Sequence, residues 1–117
     1  FDLARGEYHA NVVLAVLAGR AAIVSPRGFA DPRVAQAIAD FYAPNAVVLS
    51  EAEHAAFAGN AIALSSDTVW MSVRAAAALD ARNRQLLTAA GFQVRAVELD
   101  AIEAGGGSLR CCIAEIF

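Results

Sequence analysis

The 117-residue sequence predicts an α/β fold assembled from ββαβ-type repeats. Three observations carry this. Short apolar runs rich in valine, isoleucine and alanine alternate with segments that open on helix-capping residues, the pattern of strands and helices sharing a sheet. The pattern also recurs: His9-Ala10-Asn11 precedes one apolar run, Ala58-Gly59-Asn60 a second and Gly106-Gly107-Ser108 a third, so that Asn11 to Asn60 is 49 residues and Asn60 to Ser108 is 48. Finally, the chain is 58% hydrophobic and 18% charged, which at this length suits one small domain with a real core. Each full unit reads strand, strand, helix, strand, short helix. The expected organisation is a single domain over 1–117, with units of about 9–57 and 58–105 and the start of a third at 106–117. Units of this kind bury their faces only against neighbours.

Taken in order, Phe1 to Arg5 carry no pattern. Val12-Val13-Leu14-Ala15-Val16-Leu17 is short, β-branched and closed by Ala18-Gly19-Arg20, as expected of a buried strand and turn. Ala21 to Ser25 returns as its hairpin partner, and Pro26-Arg27-Gly28 breaks it. Asp31-Pro32 opens a helix, aspartate as N-cap and proline at the first helical position. Val34, Ile38, Phe41 and Tyr42 share one face of it. After Pro44-Asn45, Ala46 to Leu49 is a short strand. Ser50 and Glu53 form a capping-box pattern that starts a short helix; His54 within it reads as a surface residue.

The second unit repeats the scheme. Ala61 to Leu64 is a strand, Ser65-Ser66-Asp67 a turn and Thr68 to Met71 the returning strand. Ser72 caps a helix expected over about 73–90, stopped by Gly91. Gln93 to Leu99 is the third strand and Asp100 to Ala104 a helical turn. The glycine stretch 105–107 then leads into Cys111-Cys112-Ile113-Ala114-Glu115-Ile116-Phe117, which reads as a final buried strand.

Several function classes are disfavoured. Net charge is −3, all nine basic residues are arginine and none cluster, so nucleic acid is not an expected partner. No apolar run reaches the roughly 18 residues of a membrane-spanning helix, and no signal peptide is visible. His9 and His54 lie far apart and no CxxC occurs, so no metal site is expected. The two cysteines are adjacent, a strained geometry for a disulfide, which favours a reducing cytoplasm. The chain opens on Phe1, and residues upstream are expected to be missing through truncation or processing.

Glycines 105–107 let the backbone approach a ligand closely, and a thiol just beyond them is a candidate nucleophile. The competing reading is a packed core cysteine, which the stretch taken alone favours. The repeat alters that balance. His9 and Cys111 hold nearly equivalent places in the first and third units, and in a radial arrangement the unit starts converge, bringing together a thiol and an imidazole about 100 residues apart. A structural histidine is the alternative for His9, and turn or cap chemistry for Asn11 and Asn60.

Tyr8-His9-Ala10-Asn11-Val12, Ala56-Phe57-Ala58-Gly59-Asn60 and Gly105-Gly106-Gly107-Ser108-Leu109-Arg110-Cys111 resemble the guanidino-group-modifying enzymes of the five-bladed α/β propeller fold. These are the arginine deiminases, dimethylarginine dimethylaminohydrolases and amidinotransferases, and the branch described as citrulline-utilisation hydrolases is the nearest in pattern. The resemblance covers the whole chain but only the C-terminal half of that fold. It implies a cofactor-free hydrolase in which Cys111 attacks the central carbon of a guanidino or ureido group. His9 then protonates the departing amine and activates water. Cys112 would point the other way, into packing. Asn11 stands where arginine deiminases carry a substrate-binding aspartate, which favours a neutral ureido group such as that of citrulline. Gly107, Ser108 and Arg110 are implied as further substrate-binding positions, although a plain surface role competes for Arg110. The family's substrate-holding carboxylates lie in the other half of the propeller. The implied partners are therefore a small guanidino or ureido substrate and a missing N-terminal half, another chain or a second copy. A non-catalytic half-propeller that completes its fold by pairing is the alternative.

Overall fold

The computed structural model describes residues 1–116. Two three-stranded sheets are built on one plan. In the first, β1 (Leu14–Leu17) pairs antiparallel with β2 (Ala21–Val24), and β2 pairs parallel with β3 (Ala46–Val48). In the second, β4 (Ile62–Ala63) pairs antiparallel with β5 (Thr68–Ser72), and β5 pairs parallel with β6 (Gln93–Val97). Each parallel pair needs a crossover, and helices supply it. In the first sheet it is α2 (Pro32–Phe41); in the second, α4 (Val73–Ala78) and α5 (Ala81–Ala89). Short helices α3 (Glu51–Ala55) and α6 (Asp100–Ala104) follow the last strand of each sheet, as the repeat predicts.

The helices start where capping chemistry directs. The Asp31 carboxylate accepts from the Arg33 amide at α2, with Pro32 in the first turn. Ser50 and Glu53 form the reciprocal capping box at α3, and Ser72 caps α4. The helix expected over 73–90 is in fact two. Asp80 accepts from the Asn83 amide at 2.6 Å and starts α5 afresh. An aspartate-capped restart is favourable enough to interrupt an alanine-rich helix because it satisfies an orphan N–H.

The main core lies between the sheets and under α4 and α5, with Leu17, Ile23, Val47, Met71, Ala75 and Leu87 sealed from solvent. A second cluster, Val12, Val13, Val24, Phe29, Ala35 and Ala39, fills the space under α2. The core face of α2 is therefore its alanine face. On the face that the spacing picks out, Val34 and Ile38 pack half-buried against this cluster, and with Phe41 and Tyr42 they border an open apolar groove shared with Phe1, Leu14 and Val16, in which Phe41 is 80% exposed.

Two strand expectations are corrected. Ala10–Val13 form a helical turn, α1, and the strand starts only at Leu14. Tertiary packing overrides β-propensity here. The Ser25 amide takes the Val13 carbonyl at 2.8 Å, and Gly28 and Gly59 press against Val13 and the Val12 carbonyl. A β-carbon on Gly59 would lie 2.3 Å from that oxygen. At the other end, Leu109–Cys112 form a 310 turn, and residues 113–116 after it are largely exposed and form no strand; Phe117, the end of the expected strand, lies outside the described residues. In both complete units the first strand is laddered to a second. Among the described residues no strand lies beside 113–116, and an unpaired run has no ladder to join.

Candidate active site at the meeting of the unit starts

Each unit opens on a tight turn: α1 in the first, residues 56–60 in the second and the 310 turn 109–112 in the third. The three turns meet. Asn60, wholly buried, donates its side-chain amide to the Asn11 carbonyl oxygen at 2.7 Å and to Cys111 Sγ at 3.2 Å. Its Oδ1 accepts from the Cys111 amide at 3.4 Å, and its own carbonyl accepts from the Arg110 amide at 3.4 Å. The Cys111 thiol in turn makes a long contact, 3.6 Å, with Asn11 Oδ1. Cys111 is exposed, as an attacking thiol must be, and both cysteines are free.

The glycine loop fixes the thiol's other side. Gly106 and Gly107 have φ of +86° and +104°, backbone that L side chains rarely adopt. A β-carbon on Gly107 would sit 3.5 Å from Cys111 Sγ and 3.6 Å from the Tyr8 hydroxyl, so the missing side chain is the space between those two groups. Burial raises the Tyr8 phenol above its ordinary pKa, and the nearby Cys111 and Glu7 raise it further; the hydroxyl stays protonated at neutral pH. Ser108, also wholly buried, braces the loop by donating to Glu103 Oε1 at 2.6 Å. The second oxygen of that buried carboxylate has no partner among the described residues.

His9 is the N-cap residue of α1, exposed, with its ring edge-on to Tyr8 at 5.1 Å between centroids. No hydrogen bond joins it to Cys111 among the described residues. Glu7, two residues earlier, is turned the other way. It pairs with His54 Nε2 at 2.9 Å, while Ser25 Oγ bonds His54 Nδ1 at 2.9 Å. His54 is thus a half-buried strut under the His9 segment, with its side chain 12% exposed, and not the surface residue expected. Arg110 turns from the thiol to the Ile113 carbonyl and to Glu115, 3.2 Å away. Cys112, expected to pack inward, is exposed, its thiol 3.4 Å from the Ser108 carbonyl oxygen; a 310 turn does not alternate as a strand does. Beside the turns a cleft of roughly 370 Å³ is lined by Asn11, Ala61, Ala63, Arg110 and Glu115 among others.

Of the sequence-derived candidates, the structure brings Asn11, Gly107 and Cys111 into one cradle and sets the Tyr8-His9 segment alongside. Ser108 lies beneath as a brace. Asn60 is the residue that the sequence assigns to turn chemistry and that the structure places in the cradle; its repeat position, equivalent to Asn11, is the one sequence signal that leads there. No cluster of His, Cys, Asp and Glu among the described residues is arranged to hold a metal, and no described helix is long and apolar enough to cross a membrane.

Solved structures share this architecture. The N-terminal domain of ArgZ, an arginine dihydrolase from the ornithine-ammonia cycle in cyanobacteria, superposes with a TM-score of 0.70 at 22% identity, over 88% of this chain and 36% of that one. AgrE, in its ternary complex with ornithine and NAD+, matches with a TM-score of 0.72 at 28% identity, over 89% of this chain and 14% of that one. The chain is thus part of an α/β propeller of the guanidino-modifying class. Within that class it belongs to the family described as "N,N dimethylarginine dimethylhydrolase, eukaryotic", whose model matches residues 2–117. The N(G),N(G)-dimethylarginine dimethylaminohydrolase of Mycobacterium tuberculosis (strain ATCC 25618 / H37Rv) is 35% identical over 109 residues, which is 93% of this chain and 33% of that protein. The chain spans about a third of the relative it matches.

Proposed function

We propose that this chain supplies the thiol-bearing part of a hydrolase for guanidino compounds, with Cys111 as nucleophile and His9 as acid and base. The supporting observation is the exposed Cys111 thiol, held between Asn11 and Asn60 where the three unit starts meet, with the exposed His9 on the segment whose Tyr8 borders the glycine loop. In this reading Sγ bonds to the central guanidinium carbon, and His9 gives its proton to the nitrogen that leaves as the carbon–nitrogen bond breaks. Water, losing a proton to His9, then attacks the amidino-thioether carbon. The carbon–sulfur bond breaks and releases a ureido product and the thiolate, so the sum is guanidino compound plus water giving ureido compound plus amine. Asn11 offers a neutral amide to the substrate and so admits ureido groups, such as that of citrulline, beside arginine and its methylated forms.

The carboxylates near the thiol are engaged elsewhere: Glu7 with His54, Glu115 with Arg110 and Glu103 with Ser108. The groups that neutralise a guanidinium are therefore proposed to come from further chain of the same protein, a partner chain or a second copy. The same engagement of the carboxylates favours the second reading, a non-catalytic half-propeller that completes its fold by pairing with another chain or with itself. Free thiols at 111 and 112 suit a reducing cytoplasm as the place of action. The test is brief incubation with chloroacetamidine followed by peptide mapping. Selective labelling of Cys111 over Cys112, slowed at least about tenfold by His9→Ala, is expected. Equal or absent labelling in the folded chain removes a preformed site here and leaves the pairing reading.

A further inference from the structure

We infer that Asn60 is a catalytic residue: its side-chain amide donates a hydrogen bond to the sulfur of Cys111 and stabilises the thiolate before attack and as it leaves the thioether. The inference rests on Cys111 being the nucleophile. Asn60 is wholly buried, so its polar groups must find partners within the protein. The chemistry of those partners fixes which end of the amide faces which group. The Asn11 carbonyl can only accept, so the nitrogen faces it, 2.7 Å away. The Cys111 N–H can only donate, so Oδ1 faces that. The second N–H is left for Sγ at 3.2 Å. Protonated, Cys111 needs its own hydrogen for a weak contact with Asn11 Oδ1 at 3.6 Å. Deprotonated, it gains a full acceptor for a donor already in place. Hydrogen bonds to charged acceptors are roughly twice as strong as neutral ones, and a buried donor needs no reorganisation to act. The donor therefore discriminates between the two forms of the sulfur, which a packing residue would not do.

The backbone explains why the donor stays aimed. Asn60 N–H is tied to the Phe57 carbonyl at 2.8 Å. Phe57 itself sits at φ +64°, and Gly59 is seated on the Val12 carbonyl. The amide thus has its main chain fixed on one side and two partners on the other. A thiol on an exposed 310 turn acquires a rigid partner from a different unit.

The experiment is the pH profile of Cys111 alkylation by iodoacetamide, read peptide by peptide, with Cys112 as internal reference because Asn60 does not bond it. Asn60→Asp keeps shape and the acceptor for the Cys111 amide, but exchanges the donor for a negative oxygen. Expected is a shift of the Cys111 profile to higher pH and a rate at pH 7 lower by about tenfold or more, the size of one charge-assisted hydrogen bond, with Cys112 unchanged. An unshifted profile in a folded variant overturns the role. Should the variant unfold, the wild-type chain decides: the Asn60 side-chain amide protons, followed by NMR, are expected to move as Cys111 titrates and to lose that movement in Cys111→Ser. Amide signals indifferent to pH overturn the inference. If wild-type Cys111 is no more reactive than Cys112, it is the nucleophile reading that fails instead.

Discussion

Replacing Glu53 with glutamine removes one charge and changes one atom, yet its effect on the fold is expected to be large. The carboxylate is 1% exposed. It accepts from the Ser50 amide and hydroxyl at 2.8 Å each, from the Asp80 amide at 3.0 Å and from Asn83 Nδ2 at 2.9 and 3.0 Å. Every partner is a donor, and two are main-chain amides of different units. A glutamine must turn its NH2 toward one of them, so donor meets donor and a buried amide is orphaned. Hydrogen bonds to a charged acceptor are worth about 1.5–3 kcal/mol, and losing or weakening two of them costs about 2–4 kcal/mol. For a domain of this size that is a melting temperature lower by roughly 10 °C. Burial alone would raise the Glu53 pKa, but the bonds from Ser50, Asn83 and Asp80 outweigh it and hold the carboxyl below its ordinary value. A lowered folded-state value means stability that is complete above the ordinary carboxylate range and lost as pH falls through the folded value. Glu53→Gln should therefore melt early at pH 7 and show a flatter acid dependence than the wild type. Thermal denaturation by circular dichroism from pH 7 to 3 measures both. A variant melting within about 1 °C of wild type at pH 7 would refute the reasoning, because the carboxylate would then not be what joins α3 to α5.

Gly107→Ala is expected to cost about 1–3 kcal/mol, since φ of +104° is strained for any L side chain. It should also slow Cys111 alkylation by filling the space before Sγ, so a variant that melts and reacts like wild type would show that the loop does not shape access. His54→Leu strands the Ser25 hydroxyl and the Glu7 carboxylate and should lower stability by about 1–3 kcal/mol. It should also raise amide exchange at residues 7–9 above the rest of the chain; uniform exchange would separate the strut from the His9 segment.

The repeat was legible because it is written in short-range signals. Asp31-Pro32, Ser50 with Glu53, and Ser72 each announce a helix start through their own chemistry, and the structure uses all three. What the sequence hid is set by distant partners. Val12 and Val13 have every local reason to be strand, and become a helical turn because Gly28 and Gly59 close on them. His54 looks like a solvated helix residue until Glu7 and Ser25 arrive from 47 and 29 positions away. Asn60 carries an ordinary turn signature, and its bonds to Asn11 and Cys111 span 49 and 51 residues. Cys111 stands out through its place in the repeat opposite His9, since its glycine stretch alone suits a packed cysteine as well. Asn11 and Gly107 beside it are also legible, whereas the role of Asn60 is not, because nothing in its own neighbourhood marks it.

Gly59 carries one consequence beyond packing. Its missing β-carbon is the room that the Val12 carbonyl of another unit occupies, 2.3 Å from where that carbon would be. Position 59 is thus answerable to a copy of its own motif and not to its own unit. The starts of the three units carry different side chains, an imidazole at His9, an amide at Asn60 and a thiol at Cys111, while the approach of Gly59 to Val12 involves backbone alone. The contact acts as a fixed ruler: it sets the spacing of the first and second starts whatever side chains they bear.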